Sequence, residues 1–247
     1  MDKTLIPGLI SSAVAICAGA IAVWGQLRVK RVEAALELQR AEAEHRAEAA
    51  QIARRFREPL GRAAYELQSR IFNIIKGGFL TVHLERGDDR TQSYVINHTV
   101  FVIAQYFAWT ELIRREIQFI DLGADKETRQ LAELQHKIYS GWQTDKYHPL
   151  LRVFGGEQHA IGERMIWEGP RGPQCMGFAS FLDYVKGSPD PLICALEADI
   201  ESLGARLEEA MPRLTALQHS LIDLVVFLEP GAVRFPQKNR TKINLKM

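Results

Sequence analysis

The sequence lacks a cysteine framework, an excess of charge of one sign, and the short motifs that mark common catalytic sites. Its three cysteines, Cys17, Cys175 and Cys194, form no C-x-x-C pair and no even set. This spacing argues against a disulfide scaffold and against a thiolate metal site. The formal net charge is only +1 over 247 residues, so we expect no nucleic-acid partner.

Signatures of nucleotide and hydrolase sites are also missing. No strand pattern precedes a glycine-rich loop, and the motifs G-x-S-x-G, H-E-x-x-H and S-x-x-K do not occur. The sequence therefore predicts neither a dinucleotide fold nor a P-loop. We expect no bound cofactor, and the absence of these motifs favours a non-enzymatic protein.

One segment lacks charge altogether, and it is the most informative part of the chain. No charged side chain occurs from Leu5 to Leu27, which is long enough for a helix across a hydrocarbon core of roughly 30 Å. Trp24 stands near its far end, where an indole favours the membrane interface. We interpret residues 1–27 as a transmembrane anchor. The alternative is a cleaved signal peptide ending near Ala18-Gly19-Ala20.

The flanking charges predict the topology of this anchor. Arg28, Lys30 and Arg31 follow the apolar run, whereas only Asp2, Lys3 and the amino terminus precede it. The positive-inside rule then places the N-terminus outside and the C-terminal domain in the cytoplasm. The prediction is a single-pass protein of the cell membrane.

Residues 28–58 predict a charged stalk helix that continues from the anchor. They are rich in Ala, Glu, Arg and Gln, and contain neither Gly nor Pro. Apolar side chains near 4,3 spacing make a coiled coil one interpretation and a solvated stalk the other. Pro59 is expected to end this helix, because the proline ring clashes with the preceding turn.

Residues 59–230 predict a helical bundle, so the fold class is all-α with an N-terminal transmembrane helix. Amphipathic or apolar periodicity marks helices at 59–80, 92–120 and 126–144, with shorter ones at 157–168 and 177–186. The apolar 92–120 segment is expected to be a central core helix, with a second membrane span as the alternative. The final helix carries an unbroken 3,4 alternation of apolar residues: Ile193, Leu196, Ile200, Leu203, Leu207, Ala210, Leu214, Leu217, Leu221, Leu224 and Leu228.

The stripe on the final helix has two interpretations. We favour a bundle helix that packs inside its own domain, because the other helices need a partner stripe. An oligomeric coiled coil is the alternative. Pro212 is expected to kink this helix near Met211.

Basic residues near the predicted anchor and in residues 231–247 suggest contact with an anionic leaflet. The tail contains no acid and is expected to be disordered. Each Lys or Arg held near such a surface contributes about 1 kcal/mol. The predicted membrane-surface residues are Arg28, Lys30, Arg31, Arg234, Lys238, Arg240, Lys242 and Lys246.

The best catalytic candidate is a pair of side chains one helical turn apart. His159 and Glu163 are spaced i,i+4, which places them on one face of a short helix, as helical metal ligands require. A metal site would need a further ligand, such as His136 or His148. Glu157 lies nearby in the sequence, but a single His/Glu pair at this spacing often arises by chance, so no resident metal is predicted.

A short stretch of the chain has a resemblance. The segment from Phe56 to Ile74, FREPLGRAAYELQSRIFNI, resembles one found in uncharacterised bacterial single-pass membrane proteins. Those proteins share the layout of short anchor, charged helix and helical cytoplasmic domain. The resemblance implies a bacterial origin and a similar layout; it implies no activity and assigns no functional residue.

Taken together, these patterns favour a membrane-tethered cytoplasmic interaction or sensing module. Its expected partners are anionic lipids of the inner leaflet, together with further copies of the chain or a helical protein. One alternative is a subunit of an oligomeric pore or effector complex. Another is a membrane-bound, metal-dependent hydrolase using His159 and Glu163.

Overall fold

The computed structural model describes the backbone of residues 5–117, 125–170, 172–187 and 189–244. Side chains are not described within 5–23, 45–46, 48–54 and 116–117, or at residue 125. The chain forms two compact units, Met1–Ala49 and Ala50–Met247. The second unit therefore begins within the predicted stalk, and it includes Phe56, which is buried in the core.

The described residues are predominantly helical, as the sequence predicts. The elements in chain order are α1 (Leu5–Gly77), α2 (Phe79–Arg86), α3 (Asp89–Ile117), α4 (Asp125–Gln143), α5 (Gly155–Arg164), β1 (Ile166–Gly169), β2 (Gly172–Cys175), α6 (Phe178–Gly187), α7 (Pro191–Leu228) and a 3-10 helix (Gln237–Asn239).

The first unit consists of helix in its described part, and its side chains face solvent. Every described side chain from Gln26 to Glu44 is exposed, including Leu27, Val29 and Leu36. Among the described residues, no helix has the length and apolar character needed to cross a membrane. The predicted anchor falls mostly outside them, because residues 1–4 and the side chains of residues 5–23 are not described.

Pro59 does not end the helix, so this prediction is wrong. α1 continues through Pro59 to Gly77. A proline inside a helix costs roughly 3 kcal/mol, because it removes one hydrogen bond and crowds the preceding turn. Here Phe56 and Leu60, on either side of Pro59, are both buried in the core. Burial of such side chains contributes about 1.5–3 kcal/mol each, enough to offset that cost.

The apolar stripe of α7 packs inside the second unit, which confirms the bundle interpretation. Ten of its eleven residues are buried, and Leu207 is half-buried against the core. α2, α3, α4 and α5 all contact α7. The stripe is therefore buried within one chain, and the alternative of an oligomeric coiled coil through α7 is wrong.

The kink in α7 lies earlier than the sequence predicts. Arg206, not Met211, has non-helical backbone angles (φ −123°, ψ 29°). The hydroxyl of Thr81 on α2 donates to the carbonyl of Gly204 at 3.2 Å. Side-chain insertion into a helix ladder is a known cause of kinks. The bend therefore forms where α2 supplies a donor, one turn and a half before Pro212.

Helix α3 is the central core helix that its apolar pattern predicts. Val95, Val100, Ala104 and Phe107 are among its buried residues, and α3 contacts α2, α5, α6 and α7. The predicted bounds, 92–120, differ from the observed Asp89–Ile117, and residues 118–124 lie outside the described residues.

The second unit also contains a β-hairpin that the sequence analysis missed. The predicted helix at 157–168 ends at Arg164, and β1 pairs antiparallel with β2, with Ile166 opposite Cys175. Gly169, Pro170, Gly172 and Pro173 lie where the two four-residue strands meet. The N–H of Met176 donates to the carbonyl of the buried Met165 at 2.8 Å, which fixes the base of the hairpin.

The C-terminal segment is ordered through residue 244, so the prediction of a disordered tail is wrong there. Phe235 and Ile243 are buried, and the ring of Phe235 stacks on Tyr65 of α1 at 4.8 Å. The buried amide of Gln218 donates to the carbonyl of Thr241 at 3.0 Å and accepts from the N–H of Ile243 at 3.1 Å. Gln218 thus pairs with the tail as a peptide group would.

A buried arginine joins α7 to the end of α4. Arg213 is fully buried, and its two Nη atoms donate to the carbonyls of Gly141, Trp142, Thr144 and His148 at 2.6–3.2 Å. The last carbonyls of a helix lack partners within the helix and carry its negative dipole end. Arg213 therefore caps the C-terminus of α4 from a different helix.

Replacing Arg213 with Met tests this cap. We expect the free energy of unfolding to fall by about 3 kcal/mol, because several buried carbonyls lose their charged donor. Urea denaturation of the Arg213→Met variant measures the loss. The matched control is Arg62→Met, since Arg62 is exposed and its contact with Glu58 is long, at 3.7 Å. Equal stability of the two variants would show that the cap contributes little.

Candidate functional site

The candidate site lies where α5 packs against α3 and α4, and two glycines make this packing close. A Cβ atom at Gly155 would lie 1.9 Å from the Tyr139 hydroxyl of α4. A Cβ atom at Gly162 would lie 2.7 Å from the Phe107 carbonyl of α3. The Glu157 carboxylate accepts from the Phe154 N–H at 2.8 Å and caps the start of α5. These contacts fix the face that carries His159 and Glu163.

The predicted pair meets three residues of α3 in a network that we call the Glu111 cluster: Glu111, Arg114, Arg115, His159 and Glu163. The carboxylate of Glu111 is only 1% exposed. Arg114 donates to both its oxygens at 2.7 and 2.8 Å, and Arg115 donates to one at 2.8 Å. The Nδ1 atom of His159 lies 3.0 Å from the other oxygen.

Glu163 joins the cluster through a different partner. Its carboxylate lies 2.9 Å from an Nη atom of Arg115. The structure therefore brings His159 and Glu163 into one cluster but gives them separate partners, Glu111 and Arg115. The described residues contain no group of three or more His, Cys, Asp or Glu side chains arranged to hold a metal.

The other histidines proposed as ligands are engaged elsewhere. His136 contacts the Ser140 hydroxyl at 3.3 Å, and His148 lies 3.0 Å from Glu209. Neither contact belongs to the Glu111 cluster.

The charge of Glu111 is strongly stabilised. Burial alone would raise the pKa of its carboxyl, but hydrogen bonds from Arg114, Arg115 and His159 outweigh burial and lower the pKa to about 2. Glu111 is therefore ionised throughout the physiological range. Arg114 binds both carboxylate oxygens as a fork and Arg115 adds a third charged hydrogen bond, so the carboxylate is held strongly and in one orientation.

Two chemical roles are open to this geometry. A carboxylate bonded to Nδ1 orients an imidazole with Nε2 outward, which is how catalytic bases are held. The side chain of His159 is 41% exposed. However, Glu111 is shared with two arginines, and Arg115 extends the network to Glu163. This sharing favours a link that holds α5 onto α3.

Comparisons with known proteins leave the site without a counterpart. The chain matches no family model, no curated protein and no solved structure. The role of the Glu111 cluster therefore rests on its geometry.

The predicted membrane-surface residues have different surroundings. Arg28, Lys30 and Arg31 are exposed in the first unit, and the Arg28 guanidinium lies 4.9 Å from the Trp24 ring centre. Lys238 is exposed as well, whereas Lys246 lies outside the described residues.

Three of the predicted tail cations are paired within the chain. Arg234 lies 3.0 Å from Glu58, and Lys242 lies 2.6 Å from Asp223. Arg240 is 1% exposed and pairs with Glu229, so it cannot reach a membrane surface, and its assignment is wrong. Its Nε and Nη1 atoms also donate to the carbonyls of Phe235 and Glu229, each at 2.7 Å.

Glu111→Gln tests the cluster through its pH dependence. Because folding lowers the pKa from 4.5 to about 2, the carboxylate stabilises the fold above pH 4.5. That stabilisation is lost as the pH falls towards 2. We expect the variant to lose about 2 kcal/mol at neutral pH and the difference from wild type to shrink in acid. Urea denaturation at pH 7, 5 and 3 measures it.

The control for that series is Glu208→Gln, because Glu208 is exposed on α7. We expect this variant to follow the wild type at every pH. A difference between Glu111→Gln and wild type that stays constant from pH 7 to pH 3 would contradict the assigned ionisation.

Arg240→Met tests whether this residue anchors the tail. We expect a loss of about 3 kcal/mol in the free energy of unfolding, because buried acceptors lose a charged donor. The exposed Lys238 provides the control, and Lys238→Met should change stability by less than about 0.5 kcal/mol. Thermal and urea denaturation compare the two. A stable Arg240→Met variant would mean that other contacts, such as those of Gln218 and Phe235, are sufficient to hold the tail.

Proposed function

We propose that this protein is a membrane-tethered interaction module, with residues 5–27 as the anchor and the helical bundle in the cytoplasm. The observation that carries the proposal is the exposure of the stalk. Trp24, Leu27, Val29, Val32, Leu36 and Leu38 are all about half exposed or more. Exposed apolar side chains at this density mark surfaces that meet a membrane or a partner.

The charge distribution around Trp24 supports the membrane side of the proposal. The charge-free run ends beside Trp24, and Arg28, which lies over its ring, begins the basic cluster. An indole and cations at the end of an apolar segment are typical of a membrane interface. The same cations would contact anionic lipids of the inner leaflet.

The bundle supports an interaction role. Its apolar stripe and its buried polar groups Arg213 and Gln218 are occupied by contacts within the chain. The His159 and Glu163 side chains of the Glu111 cluster are likewise engaged by Glu111 and Arg115. These contacts favour a scaffold that presents surfaces over one that carries out a reaction.

A natural cysteine reports the predicted topology. Cys194 is exposed on α7, whereas burial raises the pKa of the half-buried Cys175 thiol to about 12. A membrane-impermeant maleimide should therefore label Cys194 in a Cys17→Ala, Cys175→Ala background. We expect labelling of intact bacterial cells only after the membrane is permeabilised. The Cys194→Ser variant gives the background signal.

The tether itself is tested by alkaline carbonate extraction of membranes. The full chain should stay in the pellet, and a chain lacking residues 1–25 should be released. Val14→Arg places a charge at the centre of the apolar run and should also release the chain, at a cost of about 3 kcal/mol in insertion. Ala41→Arg, on the stalk, is the matched control. Release of the full chain, or labelling of intact cells, would contradict the proposal.

A further inference from the structure

The first part of the stalk, residues 28–49, presents an apolar seam. Val29, Val32 and Leu36 follow a 3,4 spacing, and Gln39 and Ala43 continue it. The three large side chains are 56%, 56% and 47% exposed. In heptad terms Val29, Leu36 and Ala43 are a positions, and Val32 and Gln39 are d positions. A seam of this kind buries its side chains when a second helix lies against it.

We propose that this seam pairs with the stalk of a second copy of the chain, as a parallel, in-register, two-stranded coiled coil. The parallel direction rests on the proposed membrane tether, because two chains anchored in one bilayer leave it side by side. Tethering also raises the effective concentration of one stalk near another, so a short seam suffices.

The charges beside the seam fit a second copy in this orientation. Arg28 is a g position and Glu33 is the following e position. In a parallel pair, residues at g of one helix lie beside e of the next heptad on the other helix. Arg28 of each copy therefore meets Glu33 of the other, and the pair forms twice.

Between Val29 and Ala43, three further polar residues agree with the same register, whereas Arg46, at the next d position, ends the seam. Lys30 and Arg31 occupy b and c positions, which point away from the seam and leave both cations free for lipid headgroups. Gln39 occupies a d position, and its amide can both donate to and accept from the same amide of the second copy. A polar residue in the seam penalises shifted registers, because it would then face an apolar side chain.

Disulfide formation at single positions tests the seam. The full-length chain, with Cys17, Cys175 and Cys194 replaced by Ala, receives either Val32→Cys or Leu38→Cys. Leu38 is 62% exposed but lies at a c position, off the seam, so it is the matched control. Two cysteines join only when their Cα atoms are within about 7 Å, which d positions of a parallel pair satisfy and c positions do not.

Mild oxidation of membranes should give a disulfide dimer from Val32→Cys at about ten times the yield from Leu38→Cys. Adding Leu36→Lys to the Val32→Cys chain should reduce that yield to the control level. Equal yields at the two positions would overturn the proposal. So would a crosslink to a different protein, identified by mass.

Carbonate extraction of the same membranes separates this proposal from the tether. A chain that is released yet crosslinks through Val32→Cys would refute the tether and retain the pairing. A chain that stays in the membrane without a Val32→Cys crosslink would retain the tether and refute the pairing.

Discussion

Burial of the α7 stripe is the constraint on which the second unit depends. A helix of this length with one continuous apolar face must be covered along its whole length, so α1 to α5 are arranged around it. When the other helices cover α7, they bury some of its polar side chains as well. Arg213 and Gln218 are both fully buried, and each is placed where backbone groups of another segment lack partners. The buried polar contacts are thus a consequence of burying the apolar stripe. They make the packing of α7 specific, because only one arrangement of the helices buries the stripe and also satisfies these hydrogen bonds.

Sequence periodicity was sufficient for the helices that repeat one pattern over many residues. The stripe of α7 and the apolar α3 were predicted in position and in role, since such patterns admit few alternatives. The predictions were wrong where a tertiary contact outweighed a local sequence preference or where the local signal was too weak. Pro59 stays inside α1 because Phe56 and Leu60 are buried on either side of it. The hairpin was missed because four-residue strands between glycines and prolines carry almost no periodic signal.

Only part of the candidate site could be predicted from the sequence, because only that part lies within one helix. The i,i+4 spacing of His159 and Glu163 depends only on helix geometry, and it correctly placed both on one face. Glu111, the partner of His159, lies 48 residues away in the sequence, on a helix whose pattern suggested an apolar core. The charged residues near the end of this helix, Glu111, Arg114 and Arg115, were the available signal, because a buried carboxylate requires cationic partners. The prediction for the tail was wrong for the opposite reason. Its cations suggested an exposed segment, but Arg240 pairs with Glu229 and Lys242 pairs with Asp223, and these ion pairs hold the segment on the bundle.

The ordered C-terminal segment has a consequence for biosynthesis. Gln68 on α1 donates to the carbonyl of Asn239, 171 residues later, and Asn239 donates to the hydroxyl of Tyr65. When α1 leaves the ribosome, the residues around Asn239 have not yet been made, so this part of the bundle stays open until they follow. Contacts of such sequence separation form slowly, since loop closure precedes any gain in energy. The nascent chain therefore exposes the surface of α1 that the C-terminal segment covers until that segment leaves the ribosome, a period in which chaperones have access to it.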